Sequence, residues 1–318
     1  MLKATQRAIL ATFVGFLLME TGVGYAQISV RAVERETKDG TVRGMVAVVD
    51  LGDPRVQVRV TGALEPGATT RPVLANVDSK LIATDKWAKD NGLTLAVNAS
   101  FFGWVTGDVT HEGGADLVGM SISEGKVVSE ARSWQGKPDP ALVFLKTGGA
   151  RVIGPGQPEV KLEEIANAVA GVGGGENDAT PGTLLVQGGK NLGETARVSG
   201  DKRHPRTAVG LDAGGKRLVI LVVDGRQAKW SVGMTLPELA EWMIELGSVD
   251  AVNLDGGGSS AFVYTPKAGE RAVTNRPSDK ATEDAAGVFR PVANHLGFKV
   301  VDGASGQAPT DGGEHGSR

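Results

Sequence analysis

The chain has 318 residues, 41% of them hydrophobic, 22% charged and only 5% aromatic, with 46 glycines. This composition excludes a disordered tail and a coiled coil, and so many glycines without a G-X-Y period point to many turns around short strands. A formal net charge of −3 leaves no basic excess, which argues against a nucleic-acid partner held by phosphate neutralisation.

Residues 1–26 read as an export signal. Lys3 and Arg7 form a basic start, the stretch 9–19 is largely apolar, and Gly24-Tyr25-Ala26 places small residues where a signal peptidase needs them, so cleavage is expected after Ala26. The apolar run is shorter than the roughly 20 residues that span a bilayer, and Glu20 interrupts its end. Removal of this segment leaves 32 basic against 36 acidic residues, a net charge of −4. The expected location is periplasmic or secreted, with no membrane span in the mature chain.

The chain has no cysteine, so disulfides, thiolate zinc sites and cysteine nucleophiles are ruled out. Four histidines remain, His111, His204, His295 and His315, the last within a tail at 303–318 that is almost free of apolar residues and is expected to be disordered. Between leader and tail, residues 27–302 show no repeat and no long linker, so a single domain is expected there.

In chain order, 45–50 and 56–60 read as strands joined by a Gly-Asp-Pro turn. Leu74, Val77 and Leu81 suggest a helix over 74–89 stopped by Gly92, and 93–97 reads as a strand ending at Asn98. Residues 119–129 read as a hairpin turning at Glu124-Gly125, 141–145 as a strand and 161–170 as a short helix before a loop at 171–175. Segments 209–211 and 218–223 flank a turn at 212–216 and form an antiparallel hairpin. A helix follows, opened by the capping box Thr235/Glu238 and carrying Leu236, Leu239, Ala240, Met243 and Ile244 on one face, and Gly247 ends it. The chain then enters a short buried strand, 251–254. The pattern predicts an α+β fold: one domain on mixed, largely antiparallel sheets with a few flanking helices.

The stretch Asp255-Gly256-Gly257-Gly258-Ser259-Ser260 carries the most chemistry. A carboxylate at the exit of a buried strand, followed by three glycines and two hydroxyls, exposes N–H groups able to surround an anion or a sugar hydroxyl. A turn capped by Asp255 is the plainer reading. His204 and Arg206 precede the second-half hairpin and Asp224 and Arg226 follow it. If its strands pair as read, these groups meet at one edge as a phosphate clamp or as a solvated ion pair.

Other motifs fail. Gly210–Lys216 fits a phosphate-loop spacing, but Arg217 replaces the hydroxyl and the segment is a hairpin turn. Gly257–Ala261 approaches a nucleophile elbow, with His295 downstream, yet it ends in alanine with no helix pattern after it. His111-Glu112 matches no metal-ligand spacing. Trp104, Trp134 and Trp230 lie near loops where they could stack on a ring.

Several motifs, in this order, resemble the phosphodiester glycosidase family, the family of the lysosomal uncovering enzyme and of bacterial exported proteins linked to exopolysaccharides. They are Ala96-Val-Asn98 with Phe101-Phe102, His204-Pro-Arg-Thr207, Val223-Asp-Gly-Arg226, Ser231–Met234 and Asn253–Ser260, closed by Asn275–Asp279 and Arg290–Asn294. The resemblance implies an exported hydrolase that cleaves the bond between an anomeric carbon and a phosphodiester oxygen of a phosphate-bearing glycan. On it, side-chain chemistry assigns Asp255 as nucleophile or base, Asp224 as its partner or orienting group, and Arg206 and Arg226 as phosphate ligands, with His204 among the catalytic groups. Asn98, Asn253 and Asn294 are expected to bind sugar hydroxyls or orient the carboxylates, and Gly256, Gly257, Gly258, Ser259, Ser260, Arg276 and Asp279 to line the substrate site. No cofactor is expected, although a calcium or magnesium ion would find oxygen ligands here. A non-catalytic envelope carbohydrate-binding protein and a phosphodiesterase cutting the P–O bond are the alternatives.

Overall fold

The computed structural model describes residues 27–64, 77–104, 114–131, 133–134, 137–171, 184–195, 199–267 and 269–301. The expected leader and tail, His111, His315 and Leu74 lie outside the described residues, as do the side chains of Trp104 and Trp134.

Three larger sheets carry the fold, and every ladder between described strands is antiparallel. The first has seven strands in the order Ile28–Thr37, Gly40–Asp50, Arg217–Val223, Arg206–Leu211, Asp250–Asn253, Val186–Gln187 and Lys190–Asn191. The second has five: Lys126–Ser129, Ser121–Ser123, Ile165–Ala170, Ala141–Leu145 and Ala150–Ile153. The third also has five: Val273–Thr274, Phe262–Tyr264, Leu95–Asn98, His295–Val300 and Val56–Val60. One apolar cluster joins all three, with Val49 and Ile220 from the first sheet, Leu142 and Val169 from the second, and Leu95 and Phe298 from the third. The hydrophobic effect therefore acts on one continuous core.

The helix Leu236–Glu245 forms where the sequence places it. The Thr235 hydroxyl accepts from the Glu238 N–H at 3.4 Å, and Glu238 accepts from the Thr235 N–H at 3.0 Å. Its apolar face packs Leu236, Leu239 and Met243 against Val219 and Leu221 of the first sheet. Full burial of each such side chain contributes roughly 1.5–3 kcal/mol. The Glu124-Gly125 hairpin also forms, with φ of 51° and 78° at its two turn residues, the pair of positive angles that a two-residue turn between twisted strands requires.

Two helix expectations are corrected. Residues 79–80 and 82–83 are short strands, and the helix occupies only Thr84–Asp90. Residues 161–170 hold one 3₁₀ turn, Leu162–Glu164, followed by the strand Ile165–Ala170, which pairs on both sides. A short, nearly continuous apolar run fits a strand buried on both faces as well as a helix, and here the sheet wins. The strands at Gly40–Asp50 and Val56–Val60 belong to different sheets, so the turn between them crosses from one layer to another. No helix among the described residues is long and apolar enough to cross a membrane.

Candidate active site

The site lies where strand ends from the first and third sheets converge. Arg206 pairs with Val223, so Arg206 opens one strand beside the end of the strand that leads into Asp224. Ala208 pairs with Asn253, which brings the exit at Asp255 to the same end of the sheet. The chain then crosses through 255–261 into Phe262–Tyr264 of the third sheet. The hairpin register thus gathers His204, Arg206, Asp224 and Arg226 at one edge, as the sequence suggests.

The glycine loop is held by backbone bonds. Asp255 N–H donates to the Ala99 carbonyl at 2.9 Å, Gly257 N–H to the Pro205 carbonyl at 2.9 Å, and the Asn98 amide to the Asp255 carbonyl at 2.6 Å. Asp255 as a residue is half-buried, and its carboxylate accepts from the Gly256 N–H at 2.8 Å and from the Ser259 hydroxyl. Burial pushes its pKa up to about 6, against the pull of those two donors and of the Arg290 and Arg226 charges.

Two guanidinium groups rest on consecutive glycines of the loop. A Cβ on Gly257 would come 3.0–3.3 Å from the Arg226 guanidinium, and one on Gly258 would overlap the guanidinium of Arg290. Gly257 has a φ of +62°, so absence of a side chain serves both its backbone and its neighbour. Arg226 is exposed and sits at a φ of +58°, a left-handed conformation uncommon outside glycine, and strain of this kind clusters at functional sites. Its Nε donates to His204 Nδ1 at 3.3 Å, and it makes no ion pair among the described residues. His204 accepts this bond in its neutral form, and burial together with the Arg226 charge lowers its pKa. Arg290 is aimed by a 2.7 Å ion pair with Asp279.

Other expected site residues are placed differently. Arg206 is 3% exposed and donates to the backbone carbonyls of Met234 at 3.1 Å and of Ser199 and Lys202 at 2.8 Å. It is not placed as one arm of a clamp, because its fork is turned onto the chain. Burial and the nearby Arg226 bring its pKa down to about 10, still well above neutrality.

Asn98 and Asn294 are completely buried. Asn98 accepts from the Thr207 hydroxyl and the Ala261 N–H, while Asn294 donates to the Ser121 hydroxyl at 3.0 Å. Both amides brace backbone and neighbouring side chains. Asn253 is 6% exposed, and its Oδ1 and the Ser260 hydroxyl are buried without a hydrogen-bond partner among the described residues.

Asp224 is 3% exposed and accepts from Trp230 Nε1 at 2.8 Å, Asn275 Nδ2 at 3.0 Å and the Arg276 N–H at 3.1 and 3.2 Å. Burial raises its pKa against those donors. Its geometry is that of an orienting group for Trp230 and the 275–276 backbone. Trp230 is locked by this bond and by Arg43 and Arg276, whose guanidinium carbons lie 4.6 and 5.2 Å from its ring centroid.

His295 is completely buried, with Nδ1 2.8 Å from the Thr61 hydroxyl and Nε2 3.1 Å from the Ile82 carbonyl. With both nitrogens engaged it cannot serve Ser259 as a base, which removes the serine-hydrolase arrangement. Among the described residues, no group of three or more His, Asp or Glu side chains could hold a metal ion. Arg290 is the group that side-chain reasoning passed over, although it opens one of the motifs that carry the family resemblance.

The family model for phosphodiester glycosidases matches residues 91–299. N-acetylglucosamine-1-phosphodiester alpha-N-acetylglucosaminidase of Bos taurus is 31% identical over 65% of this chain and 37% of its own length. The SPbeta prophage-derived uncharacterized protein YomE of Bacillus subtilis is 30% identical over 54% of this chain and 24% of its own. The chain therefore spans well under half the length of these relatives. Among solved structures, the catalytic domain of zebrafish N-acetylglucosamine-1-phosphodiester alpha-N-acetylglucosaminidase, auto-inhibited by its pro-peptide, superposes with a TM-score of 0.57 at 22% identity, covering 86% of this chain and 83% of that one, a likeness of fold.

Proposed function

Because the chain belongs to the phosphodiester glycosidase family, we propose that it hydrolyses a sugar-1-phosphodiester at the bond between the anomeric carbon and the phosphodiester oxygen. The observation that carries this reading is the Asp255 carboxylate, its pKa pushed up to about 6 by burial, on a glycine loop covered by Arg226 and Arg290.

In this mechanism the two guanidiniums take the phosphodiester oxygens, and their planar forks match that geometry. As the anomeric C–O bond breaks, its electron pair leaves with the phosphate as a monoester, and the arginines stabilise the gathering charge. The leaving group is already acidic, so little protonation of it is needed. Asp255 either attacks the anomeric carbon or takes the proton from the water that does, and the water oxygen ends on the sugar. His204 holds Arg226 in its strained conformation. Asp224 fixes Trp230 and the 275–276 backbone, and Arg206 supports the chain that carries His204 and Pro205.

We further infer that the protein acts outside the cytoplasm on an envelope or exopolysaccharide glycan, a reading supported by the basic, apolar and small-residue pattern of residues 1–26. Hydrolysis of a sugar-1-phosphodiester in H₂¹⁸O tests the bond that breaks. Label in the anomeric hydroxyl supports the proposal, and label in the phosphate makes the protein a phosphodiesterase.

A further inference from the structure

A cleft of about 1740 Å³ is lined by Val33, Arg35, Arg43, Asp224, Trp230 and Arg276 among others, with no residue of the glycine loop in its lining. Small-ligand sites usually occupy about 300–1,000 Å³, so one sugar phosphate would leave much of it empty. It meets the Asp255 loop through a single segment. Asn275 lines the cleft and donates to the Ser260 carbonyl at 3.3 Å, and three residues on the Ser278 hydroxyl donates to the Gly257 carbonyl at 3.3 Å. Asp279 then holds Arg290. The cleft wall at Asn275, Arg276 and Pro277 therefore runs directly into the support of the catalytic loop at Ser278 and Asp279.

Charge in the cleft is unevenly spent. Arg35 is paired with Glu245 and Arg43 with Glu34. The side chain of Arg276 forms no ion pair or hydrogen bond among the described residues, its Nε is shielded from solvent without a partner, and its guanidinium stands 5.2 Å from the Trp230 ring centroid. Asp224 also lines the cleft and feels the Arg276 charge, but its oxygens are taken by Trp230, Asn275 and the Arg276 N–H, so the side-chain donors of this half-buried cation are left for an anion delivered by the substrate.

We propose that this cleft is a second subsite that takes the next phosphate-bearing unit of a chain-like substrate, with Arg276 as its counter-charge. The substrate class is then an oligomeric or polymeric glycan phosphodiester rather than an isolated one. The inference rests on the hydrolase reading of the Asp255 loop.

The test compares kcat/KM for two probes, the methyl phosphodiester of N-acetylglucosamine-1-phosphate and a phosphodiester-linked trimer of the same unit. The wild-type protein is expected to favour the trimer at least tenfold, chiefly through KM. The preference should shrink in high salt and fall to within about twofold in Arg276→Gln, while Arg276→Lys retains part of it. Equal use of both probes by the wild type, or a preference that survives Arg276→Gln, overturns the subsite. If neither probe is cleaved, the hydrolase reading fails on its own, and calorimetric binding of trimer and monomer to wild type and Arg276→Gln still decides the subsite. Arg276-dependent selectivity for the trimer supports it, and equal or absent binding overturns it.

Discussion

Arg226 lies across Gly257 so closely that a Cβ there would sit 3.0 Å from one terminal guanidinium nitrogen and 3.2 Å from the other terminal one. Gly257→Ala must therefore displace Arg226 and also hold alanine at a φ of +62°, which costs about 1–2 kcal/mol. The expected outcome is a folded protein melting a few degrees lower, with kcat/KM reduced on the order of tenfold to a hundredfold. Wild-type kinetics in this variant would show that Arg226 does not act from its place on the loop.

The three arginines of the site should separate by experiment. Arg226→Lys and Arg290→Lys keep the charge and lose the planar fork, so each is expected to lower kcat/KM by at least about tenfold with little change in melting temperature. Arg206→Lys should do the reverse. It gives up donors to buried backbone carbonyls and is expected to cost on the order of 3 kcal/mol of stability, with residual activity tracking the folded fraction. Urea unfolding beside initial-rate kinetics distinguishes the two patterns, and an Arg206→Lys protein of normal stability but low activity would return Arg206 to the phosphate.

Local signals in the sequence were legible and distant ones were not. The capping box Thr235/Glu238 and the positive-φ turn at Glu124-Gly125 depend on neighbours within a few residues, and both form as read. Residues 165–170 carry an apolar run whose identity as a strand is decided by partners at 121–122 and 141–145, far along the chain. The same holds at the site. The hairpin placed Arg206 near Asp224 correctly, but the destination of its fork depends on carbonyls in the separate loop 199–202 and at Met234. Side-chain chemistry alone could not raise Arg290 to a site residue, because its contact with Gly258 joins two residues far apart along the chain.

His295 makes acid stability a direct readout of burial. Desolvation lowers its pKa to about 3, so below the ordinary value near 6.5 the unfolded chain binds the proton first. Stability present above pH 6.5 is lost as pH falls towards 3, by up to about 1.4 kcal/mol per pH unit. Urea unfolding of wild type and His295→Gln from pH 7.5 to 4.5 is expected to show a less stable variant with a flatter pH dependence. Identical slopes would mean that His295 does not titrate as a buried neutral ring.

Asp255 carries the opposite sign. Its folded pKa of about 6 lies above the unfolded value near 3.9, so ionisation costs stability as pH rises through 6. Asp255→Asn is therefore expected to be more stable than wild type at pH 7.5, on the order of 2 kcal/mol, with the gap closing towards pH 4.5. A variant less stable than wild type at pH 7.5 would show that the ionised carboxylate helps to hold the loop, contrary to a group kept under desolvation for chemistry.

The pH dependence of kcat/KM for wild type beside Asp255→Asn, on a sugar-1-phosphodiester, tests the Asp255 assignment most directly. An ionised Asp255 that attacks carbon or activates water gives an acid limb with an apparent pKa near 6, and activity falls below it. The asparagine variant keeps size and most hydrogen bonding, so it should fold and lose activity on the order of a thousandfold or more at every pH. A folded Asp255→Asn protein within tenfold of wild type, with the same acid limb, would contradict the assignment and place the chemistry on another group.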